Sequence, residues 1–152
     1  ETPSVIALSR QNLPLVRLKH SEENRSARGA YVLSPASAKH HVTIVATGSE
    51  FSISLDSQKQ LEAQGIGASV VSMPCMDLFA AEPASYQDRI IDPKTVRIAV
   101  EAGCSQGWDR WIGRDGAFVG MTTFGASGQE EALYKNFGIT ADHIVRAERQ
   151  RL

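Results

Sequence analysis

Arg10 is the residue whose type and position best suit ligand binding. It follows the apolar run of residues 4–8, which has the composition of a buried strand. Open α/β sheets bind ligands beyond the carboxyl ends of their strands, and a guanidinium group there can hold a phosphate through two parallel hydrogen bonds. On spacing alone, a solvated surface arginine is the simpler interpretation. Phosphate binding by Arg10 is therefore a hypothesis that its position suggests.

The other residues that could carry chemistry lack the partners that catalysis requires. The four histidines show no metal-ligand spacing, and the sequence contains neither a Walker motif nor a Gly-x-Ser-x-Gly elbow. Residues 122–128 could bind an anion at a helix N-terminus, but an ordinary strand-to-helix connection explains them more simply. Glu101 lies at the end of a predicted strand, where a structural hydrogen bond is the first expectation. These residues alone show no complete active site.

Composition and charge place the chain among ordinary globular proteins. Its 152 residues fit one domain, or one domain with part of another, and 42% are hydrophobic against 22% charged, which argues against disorder. The net charge of −1 and the pI near 6.5 give no basic field for nucleic acid or an anionic membrane. No apolar run is long enough for a membrane span. We expect a cytoplasmic protein with Cys75 and Cys104 reduced.

The residues from 42 onward predict the strand-to-helix unit around which the fold is built. Residues 42–46 form a short apolar run typical of a buried strand, and Gly48 allows a tight turn after it. Thr47 and Glu50 have the spacing of a capping box, in which both side chains bond to free N–H groups at a helix start. The sequence therefore predicts a strand, a turn and a capped helix.

The residues after this turn carry two conflicting patterns. Residues 51–55 alternate between apolar and polar types as a strand does, yet the residues after them favour a helix. Gly65 stands where such a helix would end, and glycine is the usual residue just past a helix C-terminus. We therefore predict one helix over residues 49–64.

The remaining pattern predicts a three-layer α/β/α domain with a five-stranded mixed sheet. The connection between the first two strands is too short for a crossover helix, so the first strand should run antiparallel to residues 42–46, while the other four are parallel with right-handed crossovers. Ser127 and Glu130 predict a second capping box, and Thr140 another N-cap. The strands are predicted at 29–34, 42–46, 68–72, 95–101 and 117–121, and the later helices at 75–79, 83–91, about 108–112, 127–138 and from 140 onward.

The first 28 residues are interpreted as a separate unit. The predicted strand at residues 4–8 is followed by a proline-containing connection and a polar, charge-rich run. The chain begins with Glu instead of Met, so we interpret it as a piece of a longer protein. Residues 1–28 are then the end of a preceding domain with its linker, and residues 29–152 form the α/β domain.

Five stretches, in their order and spacing, closely resemble the C-terminal end of transketolases. The resemblance covers nearly the whole chain and includes the Phe-Gly-Ile-Thr at residues 137–140. It implies that residues 1–28 end a pyrimidine-binding domain and that residues 29–152 are the transketolase C-terminal domain. The stretches are Ala-Leu-Ser-Arg-Gln-Asn at 7–12, Ile-Val-Ala-Thr-Gly-Ser-Glu at 44–50, Val-Val-Ser-Met-Pro at 70–74, Arg-Ile-Ala-Val-Glu-Ala-Gly at 97–103 and Val-Gly-Met-Thr-Thr-Phe-Gly at 119–125.

The resemblance also implies an activity for the longer protein. Transketolases transfer a two-carbon ketol unit from a ketose phosphate to an aldose phosphate, using thiamine diphosphate and Mg²⁺ (or Ca²⁺) bound across a homodimer interface. The Gly-Asp-Gly motif that holds the diphosphate and metal is absent, since Gly-Arg-Asp-Gly at 113–116 does not match it. This piece is therefore expected to supply scaffold and dimer contacts, without catalytic, cofactor or metal residues. Arg10, within Ser-Arg-Gln, resembles the arginine that binds the substrate phosphate.

Two alternatives stay open. A sister thiamine enzyme, such as dihydroxyacetone synthase or deoxyxylulose-phosphate synthase, would carry an equivalent domain. A regulatory ligand-binding α/β module would instead use the crevice at the strand ends. Substrate profiling would distinguish a sister enzyme from a transketolase, and ligand-induced thermal stabilisation would identify a regulatory ligand-binding module. The isolated piece is predicted to be inactive under the transketolase interpretation.

Overall fold

Five strands and six α-helices are found in the computed structural model, which describes residues 3–9 and 11–151. None of these helices is long and apolar enough to cross a membrane. The strands are β1 (Tyr31–Ser34), β2 (His40–Ala46), β3 (Gly67–Ser72), β4 (Val96–Glu101) and β5 (Ala117–Gly120). The helices are α1 (Phe51–Glu62), α2 (Met76–Ala80), α3 (Ala84–Ile90), α4 (Asp109–Ile112), α5 (Glu130–Asn136) and α6 (Ala141–Arg149), with short 3-10 helices at Arg25–Arg28 and Gly48–Glu50.

The strand order in the sheet is β1-β3-β2-β4-β5. β2 pairs in parallel with β3 on one side and with β4 on the other, and β5 continues in parallel beside β4. β1 pairs antiparallel with β3. The predicted mixed sheet, with four parallel strands and the first antiparallel, is therefore confirmed. The predicted direction of the first strand is also correct, but β1 does not pair with β2, because both edges of β2 are taken by β3 and β4.

The sheet is buried on both faces, which makes the domain three-layered as predicted. Side chains alternate along β2, so that Val45 faces the layer of α2, α3 and α4, and Ile44 faces the layer of α1, α5 and α6. Phe79 and Trp108 are fully buried in the first layer, and Leu61 is fully buried in the second. The two apolar clusters, one on each face, fix the sheet and therefore the positions of its strand ends.

Helix α1 resolves the conflict in residues 51–55 in favour of the helix. Gly65 lies just past its end with a φ of 81°, a left-handed conformation that favours glycine. Ser54 and Ser57 are fully buried, and each hydroxyl donates to the carbonyl four residues earlier, at 2.9 and 2.7 Å. Ser54 contributes to the strand-like alternation although it lies inside, because its hydroxyl is satisfied by the helix itself.

The two predicted capping boxes do not form. Thr47 makes no side-chain bond to the turn that follows it, and the carboxylate of Glu50 bonds to side chains instead. Ser127 lies ahead of Gln129, which takes the N-cap position of α5 without a side-chain bond. Thr140 does cap α6, as predicted, because its side chain accepts the backbone N–H three residues later at 3.3 Å.

The predicted strand at residues 4–8 is absent from the described part of the chain. Residues 3–9 form neither a helix nor a strand. The side chains of Val5, Ile6 and Leu8 are 97%, 81% and 84% exposed. A strand needs a neighbour for its backbone N–H and C=O groups, and the strands of the described sheet pair with one another and not with this segment.

Gly29 marks the point where the chain enters the domain. Its φ is 78°, and a Cβ placed on it would lie 2.2 Å from the backbone N of Phe79 and 2.4 Å from the carbonyl oxygen of Cys75. The Gly29 carbonyl also accepts the backbone N–H of Cys75 at 3.1 Å. Only glycine has both the conformation and the small size that this contact requires.

Candidate functional site

Arg10, the residue predicted to bind a phosphate, lies outside the residues that the structure describes. Its neighbours Ser9 and Gln11 are exposed. The phosphate-binding role of Arg10 therefore stays a prediction. The described residues that could form a site are those at the carboxyl edge of the sheet, where β2, β3, β4 and β5 all end.

Glu101, the carboxylate singled out in the sequence, is held by a tryptophan. The indole Nε1–H of Trp108 donates to Oε2 of Glu101 at 2.5 Å, and Trp108 itself is fully buried. Gly103 lies against the same side chain, since a Cβ there would be 3.2 Å from Cδ of Glu101. The carbonyl of Gly103 accepts the backbone N–H of Met121, which ties the loop after β4 to the end of β5. The structural role expected of Glu101 is confirmed.

Glu50 and Tyr134 form a second polar contact at this edge, which the sequence did not reveal. Glu50 is 3% exposed, and its Oε1 accepts the phenolic O–H of Tyr134 at 2.6 Å and the hydroxyl of Ser49 at 3.1 Å. Burial, together with the Glu50 carboxylate, raises the pKa of Tyr134 well above its usual range. Glu50 was predicted to be a capping residue because it follows Thr47 by three residues, which is the spacing of a capping box.

A cavity of about 670 Å³ lies beside this contact, between the start of α1, helix α5 and the start of α6. Its lining carries charges of both signs. The Ser49 hydroxyl in the lining donates to a Glu50 oxygen that also accepts the O–H of Tyr134, so this carboxylate is already engaged by two donors. The described residues of the lining include no histidine or cysteine. The charged residues in the lining are Asp56, Glu130, Glu131, Asp142, Lys135 and Arg146.

The histidines and cysteines do not converge in the described chain. Nε2 of His40 lies 2.8 Å from the hydroxyl of Ser69, and Nδ1 of His143 lies 2.6 Å from the carbonyl oxygen of Gly138. The described cysteines are unpaired, with Cys104 exposed. Among residues 3–9 and 11–151, no group of three or more His, Cys, Asp or Glu side chains could hold a metal ion. The described residues therefore do not fit a metal centre.

The loop of residues 122–128, a weak candidate for anion binding, is exposed throughout. Phe124 at its centre is 98% exposed. The helix that follows, α5, has only seven residues. The structure shows a strand-to-helix connection here, which was the simpler interpretation.

Glu148 is a buried carboxyl group in α6, away from the carboxyl edge of the sheet. It lies in the last turn of α6, is fully buried, and neither of its carboxyl oxygens has a hydrogen-bond partner in the described chain. Nδ1 of His41, at the amino end of β2, is also buried without a hydrogen-bond partner among the described residues. Burial raises the pKa of Glu148, and the charges of Arg149 and His41 lower it in part.

Comparison with known proteins decides the family. The family model described as "Transketolase-like TK C-terminal domain" matches residues 29–140. The transketolase of Sinorhizobium medicae is 52% identical over 145 residues, which covers 95% of this chain and 21% of that protein. The chain belongs to the transketolase family. Transketolase 1 of Escherichia coli is also similar, with 40% identity over 152 residues covering 99% of this chain and 23% of that protein.

Solved transketolase structures have the same fold. A transketolase from Pichia stipitis in complex with sedoheptulose 7-phosphate superimposes with a TM-score of 0.82 at 32% identity, covering 93% of this chain and 20% of that one. Transketolase from Leishmania mexicana gives a TM-score of 0.76 at 38% identity. The chain thus spans about a fifth of the length of the transketolases it matches, and its fold is that of a transketolase domain.

Proposed function

We propose that this chain is the C-terminal part of a transketolase that transfers a two-carbon ketol unit from a ketose phosphate to an aldose phosphate. The observation that carries the proposal is the 52% identity to a transketolase over 95% of the chain. The sheet and both helical layers belong to this common fold. The proposed substrates of the longer protein are sugar phosphates, and its proposed location is the cytoplasm.

Within such an enzyme, the domain acts as scaffold and contributes dimer contacts. Its carboxyl-edge carboxylates are engaged by neighbouring side chains, Glu101 by Trp108 and Glu50 by Tyr134, and so are occupied in holding loops. The described residues do not fit a metal centre. Thiamine diphosphate and Mg²⁺ or Ca²⁺ would be held by parts of the longer protein outside this chain, in a homodimer.

The domain boundary is proposed at residues 28 and 29. The family match begins at residue 29. Six of the eight large apolar side chains that are exposed in the described chain lie before that point, in residues 5–18, while Gly29 and Ala30 are buried. Exposed apolar side chains in a run of this length favour an origin in another domain, against which they would pack. Arg10 lies in this first segment, and we propose that it binds the phosphate of the sugar substrate.

The proposed activity is tested by expressing the longer protein and the 152-residue chain side by side. The longer protein is expected to transfer a ketol unit from a ketose phosphate to ribose phosphate, whereas the 152-residue chain is expected to be inactive and to bind no thiamine diphosphate by calorimetry. Formaldehyde as acceptor and pyruvate as donor serve as controls for the sister enzymes. Activity with formaldehyde or pyruvate, and none with ribose phosphate, would contradict the transketolase proposal.

A further inference from the structure

A small cavity lined by arginines lies where the linker meets the domain. It has a volume of about 230 Å³ and is bounded by the 3-10 helix before β1, by the start of β1 and by α3. Its lining includes Arg25, Arg28 and Arg89, together with Tyr31 and Tyr86. Three cationic side chains from two separate elements thus surround one space.

Each of these arginines lies near the face of a tyrosine ring. The guanidinium carbon of Arg28 lies 3.4 Å from the ring centroid of Tyr86, and that of Arg89 lies 5.0 Å from the same centroid. Arg25 lies 6.0 Å from the ring centroid of Tyr31. Tyr86 is 8% exposed, and its hydroxyl donates to the carbonyl of Ala30 at 2.9 Å, so this ring is a fixed surface. Cation–π contacts restrict where the guanidinium groups can point.

The three arginines differ in whether their charge is already matched. Arg28 forms an ion pair with Glu82. Arg25 and Arg89 have neither an ion-pair partner nor a side-chain hydrogen-bond acceptor among residues 3–9 and 11–151. Glu23 is the one carboxylate in the lining. The lining therefore carries a net positive charge, and the guanidinium N–H groups of Arg25 and Arg89 have no acceptor in the described chain.

Two arginines without a described acceptor that line one cavity suit an anion with several acceptor oxygens. Each planar guanidinium can donate two parallel hydrogen bonds to a phosphate. A phosphate has more acceptor oxygens than a carboxylate, so it can better accept such pairs from two arginines at once. The cavity is below the 300–1,000 Å³ typical of drug-sized ligands, so the occupant is small. We propose that this cavity binds a phosphate group, as free phosphate or as a small monoester, between Arg25 and Arg89.

The simpler account of these contacts is that the arginines only clamp the linker against the domain. Arg110 provides the matched comparison, because its guanidinium carbon lies 4.8 Å from the Trp111 ring centroid and it is exposed as Arg89 is. Arg110 does not line this cavity. A clamp without an anion site would leave Arg25, Arg89 and Arg110 equally indifferent to phosphate.

The test is a titration of the 152-residue chain with inorganic phosphate at constant ionic strength, followed by NMR of the arginine Nε–H signals. Saturable shifts are expected at Arg25 and Arg89 and not at Arg110. Arg25→Gln and Arg89→Gln should each weaken binding about tenfold or more, because a charge-assisted contact is lost, whereas Arg110→Gln should leave it unchanged. Methyl phosphate in a parallel titration distinguishes an ester from free phosphate as the better ligand.

Two results would overturn the proposal. The first is the absence of any saturable shift at Arg25 and Arg89 with either phosphate. The second is shifts of equal size at Arg110, which would mean general screening of surface charge. Neither result bears on ketol transfer, which is measured separately on the longer protein.

Discussion

The indole N–H of Trp108 donates to the carboxylate of Glu101 at 2.5 Å, across the loop that follows β4. Glu101 is the last residue of β4 and Trp108 lies just before α4. Gly103 lies against the Glu101 side chain, and its carbonyl accepts the N–H of Met121 after β5. One side-chain contact therefore holds two loops at the carboxyl edge of the sheet. An edge that is built in this way can act as a rigid surface for the rest of a transketolase.

Trp108→Phe should destabilise the domain through this bond. The substitution removes a hydrogen bond to a charged acceptor, which is worth about 1.5–3 kcal/mol, in addition to the lost ring volume. Trp111→Phe is the control, since Trp111 lies in the same cluster and its indole makes no hydrogen bond to a described residue. Urea denaturation should show Trp108→Phe to be the less stable variant by about that amount. Equal losses in both variants would mean that the bond contributes nothing beyond packing.

Tyr134→Phe should destabilise the chain because it leaves the buried Glu50 with the Ser49 hydroxyl as its remaining described side-chain donor. We expect a loss of about 1.5–3 kcal/mol in the free energy of unfolding. Tyr31→Phe should change it by less than about 0.5 kcal/mol, because the Tyr31 hydroxyl makes no hydrogen bond to a described residue. A double-mutant cycle with Glu50→Gln measures the coupling, and a coupling near zero would refute the contact.

Glu148 should make stability fall as the pH rises above the ordinary carboxyl pKa of about 4.5. Burial raises the pKa of Glu148 in the folded chain, so the unfolded chain releases this proton first, and unfolding becomes more favourable until the folded-state pKa is passed. Glu148→Gln should remove this pH dependence and increase stability at neutral pH, whereas the exposed Glu131→Gln should not. Urea midpoints between about pH 4 and pH 8 decide this. Parallel pH curves for wild type and Glu148→Gln would contradict the prediction.

Gly29→Ala should be strongly destabilising. The φ of 78° disfavours any side chain, and the new Cβ would lie 2.2 Å from the backbone N of Phe79. Strain and overpacking together predict a loss of about 2–4 kcal/mol. Gly125→Ala is the matched control, because a Cβ there would meet no other part of the described chain within 4 Å, and it should be near neutral. A thermal melt in which both variants match wild type would show that the chain enters the domain by another path.

Most of the fold could be predicted from residue patterns. The apolar run in β2 and the glycine after α1 mark their elements because burial and backbone conformation leave a local signature. The pairing of β1 with β3 could not be predicted, since it depends on which strand edge is free after β2 has two neighbours. Local signatures carry little information about such choices between distant partners.

The polar contacts were harder to predict than the elements. Glu50 has the spacing of a capping residue, yet its carboxylate is bonded to Tyr134, which lies far along the chain. Ser54 belongs to the alternation in residues 51–55 that resembles a strand, although it is fully buried in α1. In each case a hydrogen bond inside the fold satisfies a polar group that the residue pattern assigns to a cap or to solvent. The phosphate role of Arg10 comes from resemblance and needs its own experiment.

Arg10→Ala should impair the longer enzyme only with phosphorylated substrates. We propose that the Arg10 guanidinium binds the donor phosphate, so its removal takes away a charge-assisted contact worth about 1.5–3 kcal/mol, or roughly 10- to 100-fold in kcat/KM. Arg10→Lys restores the charge without the planar fork and should recover part of the loss. Arg17→Ala, an exposed arginine of the same segment, is the control and should behave as wild type.

The deciding measurement is the ratio of kcat/KM for a phosphorylated donor to that for hydroxypyruvate, with one unphosphorylated acceptor in both assays. If Arg10 binds phosphate, Arg10→Ala lowers this ratio, because the contact is remote from the carbon atoms that react and hydroxypyruvate has no phosphate to lose. A loss of equal size on both donors would show that Arg10 supports the fold or the cofactor geometry, and its assignment as a phosphate ligand would then be wrong.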